Sequence, residues 1–275
     1  MTLPLYRLGQ SALVLVSLFA LSGCFERHRT TDQLCEAHPQ LCADTNINDG
    51  QCRIQRANVI WQRYDVMQTP TDQEKFKELK FTTAYQQCLE YAARIEPTEL
   101  KERKTHRTRA LLNAYASIKR LNDELADSPD PDIIYYRWSQ GDQHALRQFL
   151  RLEGTPALET PDLQLALATF YIAKDRAKTQ TLLLHALSLY KANQSVKPEI
   201  IQTLATLSHQ QGRRDQAFLW SMTGIALDMP IASEEKLAFL YPMSDTQRAA
   251  LTAQALVIAE KLRQGAFNAT LLTVQ

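Results

Sequence analysis

The chain has 275 residues, a formal net charge of +1 and only 8 glycines, with Ala, Leu, Gln, Glu, Lys and Arg prominent throughout. These are strong helix formers, and the balanced charge excludes a global field of the kind that draws nucleic acid or an acidic partner. Beyond the amino terminus no run approaches the roughly 20 apolar residues that cross a bilayer; the most apolar stretch, Ala250 to Ala259, carries Thr252 and Gln254.

The first element is an address. Arg7 supplies a positive n-region and Ser11 to Leu21 an apolar h-region, too short to span a membrane. Leu21-Ser22-Gly23-Cys24 follows. This order resembles the bacterial lipoprotein signal, in which the cysteine thiol is diacylated, the chain is cut before it, and the new amino group is acylated. Several acyl chains on Cys24 exceed the two signals needed for stable anchoring. Phe25 follows where Asp would retain a lipoprotein at the inner membrane, so the resemblance implies the periplasmic face of the outer membrane. An oxidising compartment then surrounds the other four cysteines.

Residues 25–51 read as irregular, their first part a tether. Cys35 and Cys42 bracket Pro39. The acidic run from Asp44 to Gly50 brings a calcium loop to mind. Gly50 is seventh where that loop needs glycine sixth, and the twelfth residue is Gln55 instead of Glu. The run is read as an Asx/Gly turn that launches a helix.

A helical period starts at Cys52. Ile54, Ala57, Trp61 and Tyr64 form its apolar stripe, and Thr69-Pro70-Thr71-Asp72 ends it. A second helix runs from about 72 to 95, with Asp72 as cap and Phe81, Tyr85, Cys88, Leu89, Ala92 and Ile95 inward. Cys52 and Cys88 are each 18 residues from Pro70, so direct packing of an antiparallel hairpin brings them together. Cys35 and Cys42 then pair by elimination among three possible connectivities. Zinc is the rival reading, at spacings unlike paired CxxC motifs.

A long helix follows from about 98 to 127, with Leu111, Ala114, Tyr115, Ile118, Leu121 and Leu125 inward. Lys101, Arg103, Lys104, Arg107 and Arg109 crowd its start, a candidate contact for anionic lipid or cell-envelope polymer; a solvated helix face is the plainer reading. Ser128-Pro-Asp-Pro131-Asp marks a boundary. The aromatic block Tyr135-Tyr136-x-Trp138 is read as core joining two halves, with a ligand groove as its rival.

From Thr160-Pro161-Asp162 onward, helices are placed at about 161–173, 176–192, 197–211, 213–228, 233–241 and 245–264. Leu204 to Ala217 resembles the heart of a tetratricopeptide repeat: Gly212 ends one helix, Ala217 lets the next approach closely, and Leu227 to Pro230 is similar to the closing turn. An upstream unit aligns at a period of 38, with Lys174 and Thr179 in place of Gly and Ala. Taken whole, the chain resembles an uncharacterised family of Gram-negative lipoproteins with a domain of unknown function. The likeness rests on the lipobox, the Cys35/Cys42 pair, Asn48 to Arg53, Cys88-Leu89-Glu90 and the aromatic block. It implies compartment and architecture and supplies no catalytic residue.

The six histidines are dispersed without metal-ligating spacing, and no nucleophile elbow, phosphate-cradling loop or dinucleotide fingerprint occurs. Glu90, Glu96 and Glu153 are the carboxylates considered for glycan cleavage. The expected fold is all-α: a disulfide-stapled N-terminal helical hairpin, then an α-solenoid of tetratricopeptide-like helix pairs. The expected parts are a signal peptide over 1–23, a lipidated tether and cysteine loop over 24–51, helices over 52–127, a repeat-like domain over 131–265 and a tail over 266–275. The expected function is a membrane-anchored, non-enzymatic scaffold, without cofactor or metal, for a protein or peptide partner and not for nucleic acid. The alternatives are a cell-wall enzyme and a small-molecule or lipid carrier.

Overall fold

A computed structural model describes residues 30–47, 49–96 and 102–272. Among them the chain forms twelve α-helices and short 3₁₀ turns, and no strand. The chain divides into two compact units between Asp127 and Ser128, at the proline-rich break.

The first unit holds α1 (Thr31–Ala37), α2 (Arg53–Gln68), α3 (Asp72–Ala92) and α4 (Glu102–Glu124). The helix α1 corrects the reading of 25–51 as irregular: Thr30 caps it by accepting from the Gln33 N–H. The helix is anchored by Leu34, which is buried with Leu41, Cys42 and Ile60. Trp61 and Tyr64 of the α2 stripe pack under this N-terminal cover, whereas Ile54 of the same stripe is exposed. Val59 instead joins Tyr85, Leu89 and Ala92 of α3 and Ala110 and Ala114 of α4. The cap of α3 is Thr71, whose hydroxyl accepts from Glu74 N–H, not Asp72. A β-region residue with a short oxygen one place earlier does that work.

Both disulfides lie in this unit. Cys52 and Cys88 have Cα atoms 5.8 Å apart, and Cys35 and Cys42 5.7 Å. Cys52 sits in the left-handed region at φ 56°, immediately before α2. The turn leading to it is the Asx turn expected in the run from Asp44 to Gly50, and it is made by Asp49, with Gln51 N–H donating to Oδ1 at 3.1 Å.

The second unit pairs α5 (Pro131–Ser139) with α6 (Gln143–Arg151), α7 (Pro161–Tyr171) with α8 (Arg176–Ser188), and α9 (Pro198–Gln210) with α10 (Arg214–Ala226). It ends with α11 (Glu234–Leu240) and α12 (Asp245–Arg263). Several of these helices start on a side-chain cap: Asp130, Asp142, Thr160, Asp175 and Ser244 accept from backbone N–H groups of the following turn. One continuous core runs from Leu183 and Leu187 through Ile200, Leu204, Phe218 and Trp220 to Ile258 and Leu262.

Three glycine positions are set by geometry. Gly212 turns α9 into α10 at φ +72°. Gly224 lets Ile231 lie across α10, where a Cβ would meet its Cδ1 at 2.8 Å. Gly265, at φ +65°, brings the end of α12 against the loop after α8, and Asn193 N–H bonds Arg263 O at 2.9 Å.

Candidate functional site

The groove over α9. On this helix Ile200, Ile201, Leu204 and Leu207 turn inward, while Glu199, Gln202, Thr206, His209 and Gln210 face out. This is an amphipathic helix with a wholly polar exposed face. A hollow lies on each side of it. One, of about 460 Å³, is formed by Gln202, Thr206 and His209 with Ile231, Leu240 and Tyr241. The other, of about 620 Å³, is formed by Gln202, Thr206 and Gln210 with Ile172, Ala173 and Arg176. Gln202 and Thr206 belong to both, so the hollows flank one amide-bearing ridge.

The α11 wall is held by Leu237 and Tyr241, which are buried, while Leu240 is half-exposed at the rim. Tyr241 Oη and His209 Nδ1 lie 3.2 Å apart, which sets the imidazole in the wall. Burial pushes the Tyr241 phenol above its ordinary value, so it stays a neutral hydrogen-bonding group.

Such a surface can take an extended chain. Side-chain amides serve backbone groups of either polarity; the hollow against α11 offers apolar side chains such as Ile231 and Leu240, and the one beside Arg176 and Glu199 offers charged and polar ones.

The residues singled out in the sequence fall elsewhere. Cys24 and Lys101 lie outside the described residues. The basic run does not make one surface. Arg107 is turned inward because it precedes Ala110 by three and Ala114 by seven, and so shares their buried stripe. It is 4% exposed, and its Nη2 donates to Asp49 Oδ1 at 3.0 Å while Nε donates to Oδ2. Its remaining nitrogen reaches the carbonyls of Ala92 and Ile95. The proposal of Arg107 as a surface contact is thereby corrected. Lys104 pairs with Glu96, Arg103 is half-buried, and Arg109 is exposed.

The acidic loop proves to be the other half of this arrangement. Asn46 donates to Asp49 Oδ2 at 3.3 Å, Tyr85 Oη donates to Asn46 Oδ1 at 2.6 Å, and Arg56 caps the carbonyls of Asn46 and Asp49. Burial pushes the Asp49 carboxyl up, and the Arg107, Gln51 and Asn46 donors outweigh it, bringing it down to about 2. Both carboxylate oxygens are thus occupied by protein donors.

The carboxylates considered for catalysis are spent locally. Glu90 accepts from Tyr115 Oη at 2.5 Å and Glu96 from Lys104. Glu153 takes Lys178 at 2.5 Å and Tyr171 at 2.7 Å. Burial raises Glu153, and Lys178 and Tyr171 bring it net below the usual range, opposite to what a general acid needs.

A Ser188–His185–Glu159 line does form, with His185 Nε2 at 2.7 Å from Glu159 and Ser188 Oγ at 3.5 Å from Nδ1. Ser188 gives its proton to the His185 carbonyl at 2.7 Å. It also ends α8, where carbonyls rather than N–H groups point outward, so an oxyanion would meet the wrong dipoles. In the aromatic block, Trp138 packs on Phe149 at 5.3 Å and Tyr135 on Phe149 at 5.8 Å, between ring centroids, so these faces fill the core of the second unit. Among the described residues no cluster of three or more His, Cys, Asp or Glu is placed to hold a metal ion.

Neither a curated protein nor a solved structure matches the chain. A family model does match, that of the proteins of unknown function DUF2989, over residues 21–222. That span runs from the residue before Ser22-Gly23-Cys24 into α10 and takes in Asp49, Arg107 and the α9 ridge, so the chain belongs to the DUF2989 family.

Proposed function

We propose that the protein is an envelope lipoprotein, acylated at Cys24, that holds an extended segment of a partner protein in the groove over α9. The groove carries the reading: two hollows share a ridge of exposed side chains on one helix. This is the binding face of a stacked-hairpin solenoid. The helices that build it start 37 and 36 residues apart, at Pro161, Pro198 and Glu234, the first two of them opening packed helix pairs, and Ala217 is fully buried at the close approach, features akin to a tetratricopeptide array. Two disulfides support an oxidising compartment, and the family match takes in Cys24. The protein is an adaptor without chemistry of its own, on the periplasmic face of the outer membrane.

The test is made in intact cells with the full chain. A photocrosslinking side chain at Thr206 is expected to trap a discrete partner, and Leu240→Asp, at an exposed rim position, should abolish the adduct without unfolding the protein. Adducts that survive Leu240→Asp, or none at all, reject the groove. Mass spectrometry of the mature amino terminus reads the anchor separately; an unacylated Cys24 rejects that half.

A further inference from the structure

We infer that the second unit self-associates through the outer face of α12, as an antiparallel pair of identical helices. The inner face of α12 is committed to the core through Leu251, Ala255, Ile258, Ala259 and Leu262. Its outer face carries Ala249, Ala253, Leu256 and Val257, with Leu256 57% and Val257 50% exposed. From 249 to 259 there is no charged residue. A helix that closes a stack ordinarily turns a polar side to water; between Ala249 and Val257 this one exposes apolar residues instead.

The pattern fits a second copy of itself. Ala249, Ala253, Leu256 and Glu260 lie at intervals of four, three and four along one stripe, and that spacing reads the same in both directions. A two-fold axis between Ala253 and Leu256 therefore lays each Leu256 against the Ala253 of the other copy. Small residues on one helix receive the large residue of the other, which allows close interaxial packing, and both copies use one patch, as an isologous contact requires. The ends agree as well. Asp245 opens the helix and Lys261 and Arg263 close it, so antiparallel alignment sets acidic start beside basic end and opposes the two helix dipoles.

The register makes the test specific. Full-length chains carrying one added cysteine are mildly oxidised at high protein concentration, beside the parent chain, whose own band sets the background from Cys24. Ala253→Cys and Leu256→Cys, next to the axis, are expected to yield covalent dimers absent from the parent. Ala249→Cys and Glu260→Cys alone stay monomeric, because each lies about 16 Å along the helix from its own copy. Mixed together, those two form a heterodimer. Crosslinking at all four positions alike, none at 253 and 256, or no mixed product overturns the inference. All four positions are exposed, so the substitutions leave the core intact, and the result does not depend on acylation.

Discussion

Asp49 and Arg107 are each 4% exposed, and an ion pair so deep is tolerated because every donor and acceptor around it is satisfied. Losing one partner should therefore be costly. Asp49→Ala leaves a buried guanidinium unpaired and is expected to destabilise the first unit by roughly 3–5 kcal/mol, read by urea unfolding. The pH dependence has a definite sign. A carboxyl lowered to about 2 from its ordinary 3.8 contributes stability that is complete above pH 4 and fades as the pH falls towards 2. Its size is about 2 kcal/mol. Asp49→Asn should flatten that part of the profile; a wild-type slope retained by the variant would show that another group sets it. The turn at Asp49 was legible in the sequence, because an Asx turn is local. Its partner was not, since Arg107 is 58 residues away and sits in a run of like charges with no local mark to single it out.

At the level of elements, the disulfides set the order of the first unit. The Cys52–Cys88 bridge spans 36 residues, and loop-closure entropy gives it about 4 kcal/mol; Cys35–Cys42, across 7, is worth about 2.5 kcal/mol on the same basis. Replacing Cys52 and Cys88 by serine should thus lower the unfolding midpoint more than replacing Cys35 and Cys42, and the reverse order in thermal melts would show that native packing outweighs chain entropy. Helix positions in the second unit were readable because prolines and capping residues punctuate them, as at Thr160 and Pro161. The helix α1 was missed for the opposite reason. Seven residues are too few to show a period, and the helix exists because Leu34 and a disulfide dock it on Trp61 and Ile60. Ile54 and Trp61 share an apolar stripe, but the α1 cover reaches only as far as Trp61.

For the whole molecule, helical composition and the scarcity of glycine declared the all-α class, while the groove over α9 depends on the juxtaposition of the end of α7, α9 and α11, which no local pattern encodes. Because both disulfides belong to the first unit, reductant should raise amide exchange in residues 30–127 and leave 128–272 unchanged. Equal loosening of both units would show that they unfold as one. Gly265 carries a different implication. A methyl group there would land 2.4 Å from the amide nitrogen of Ala192 and 2.7 Å from the Lys191 carbonyl carbon, main-chain atoms that cannot swing aside as a flexible side chain would. Gly265→Ala should accordingly prise the tail of the final helix from its neighbour and hand trypsin an early cut at Arg263, so one missing carbon decides whether the molecule's far end stays shut.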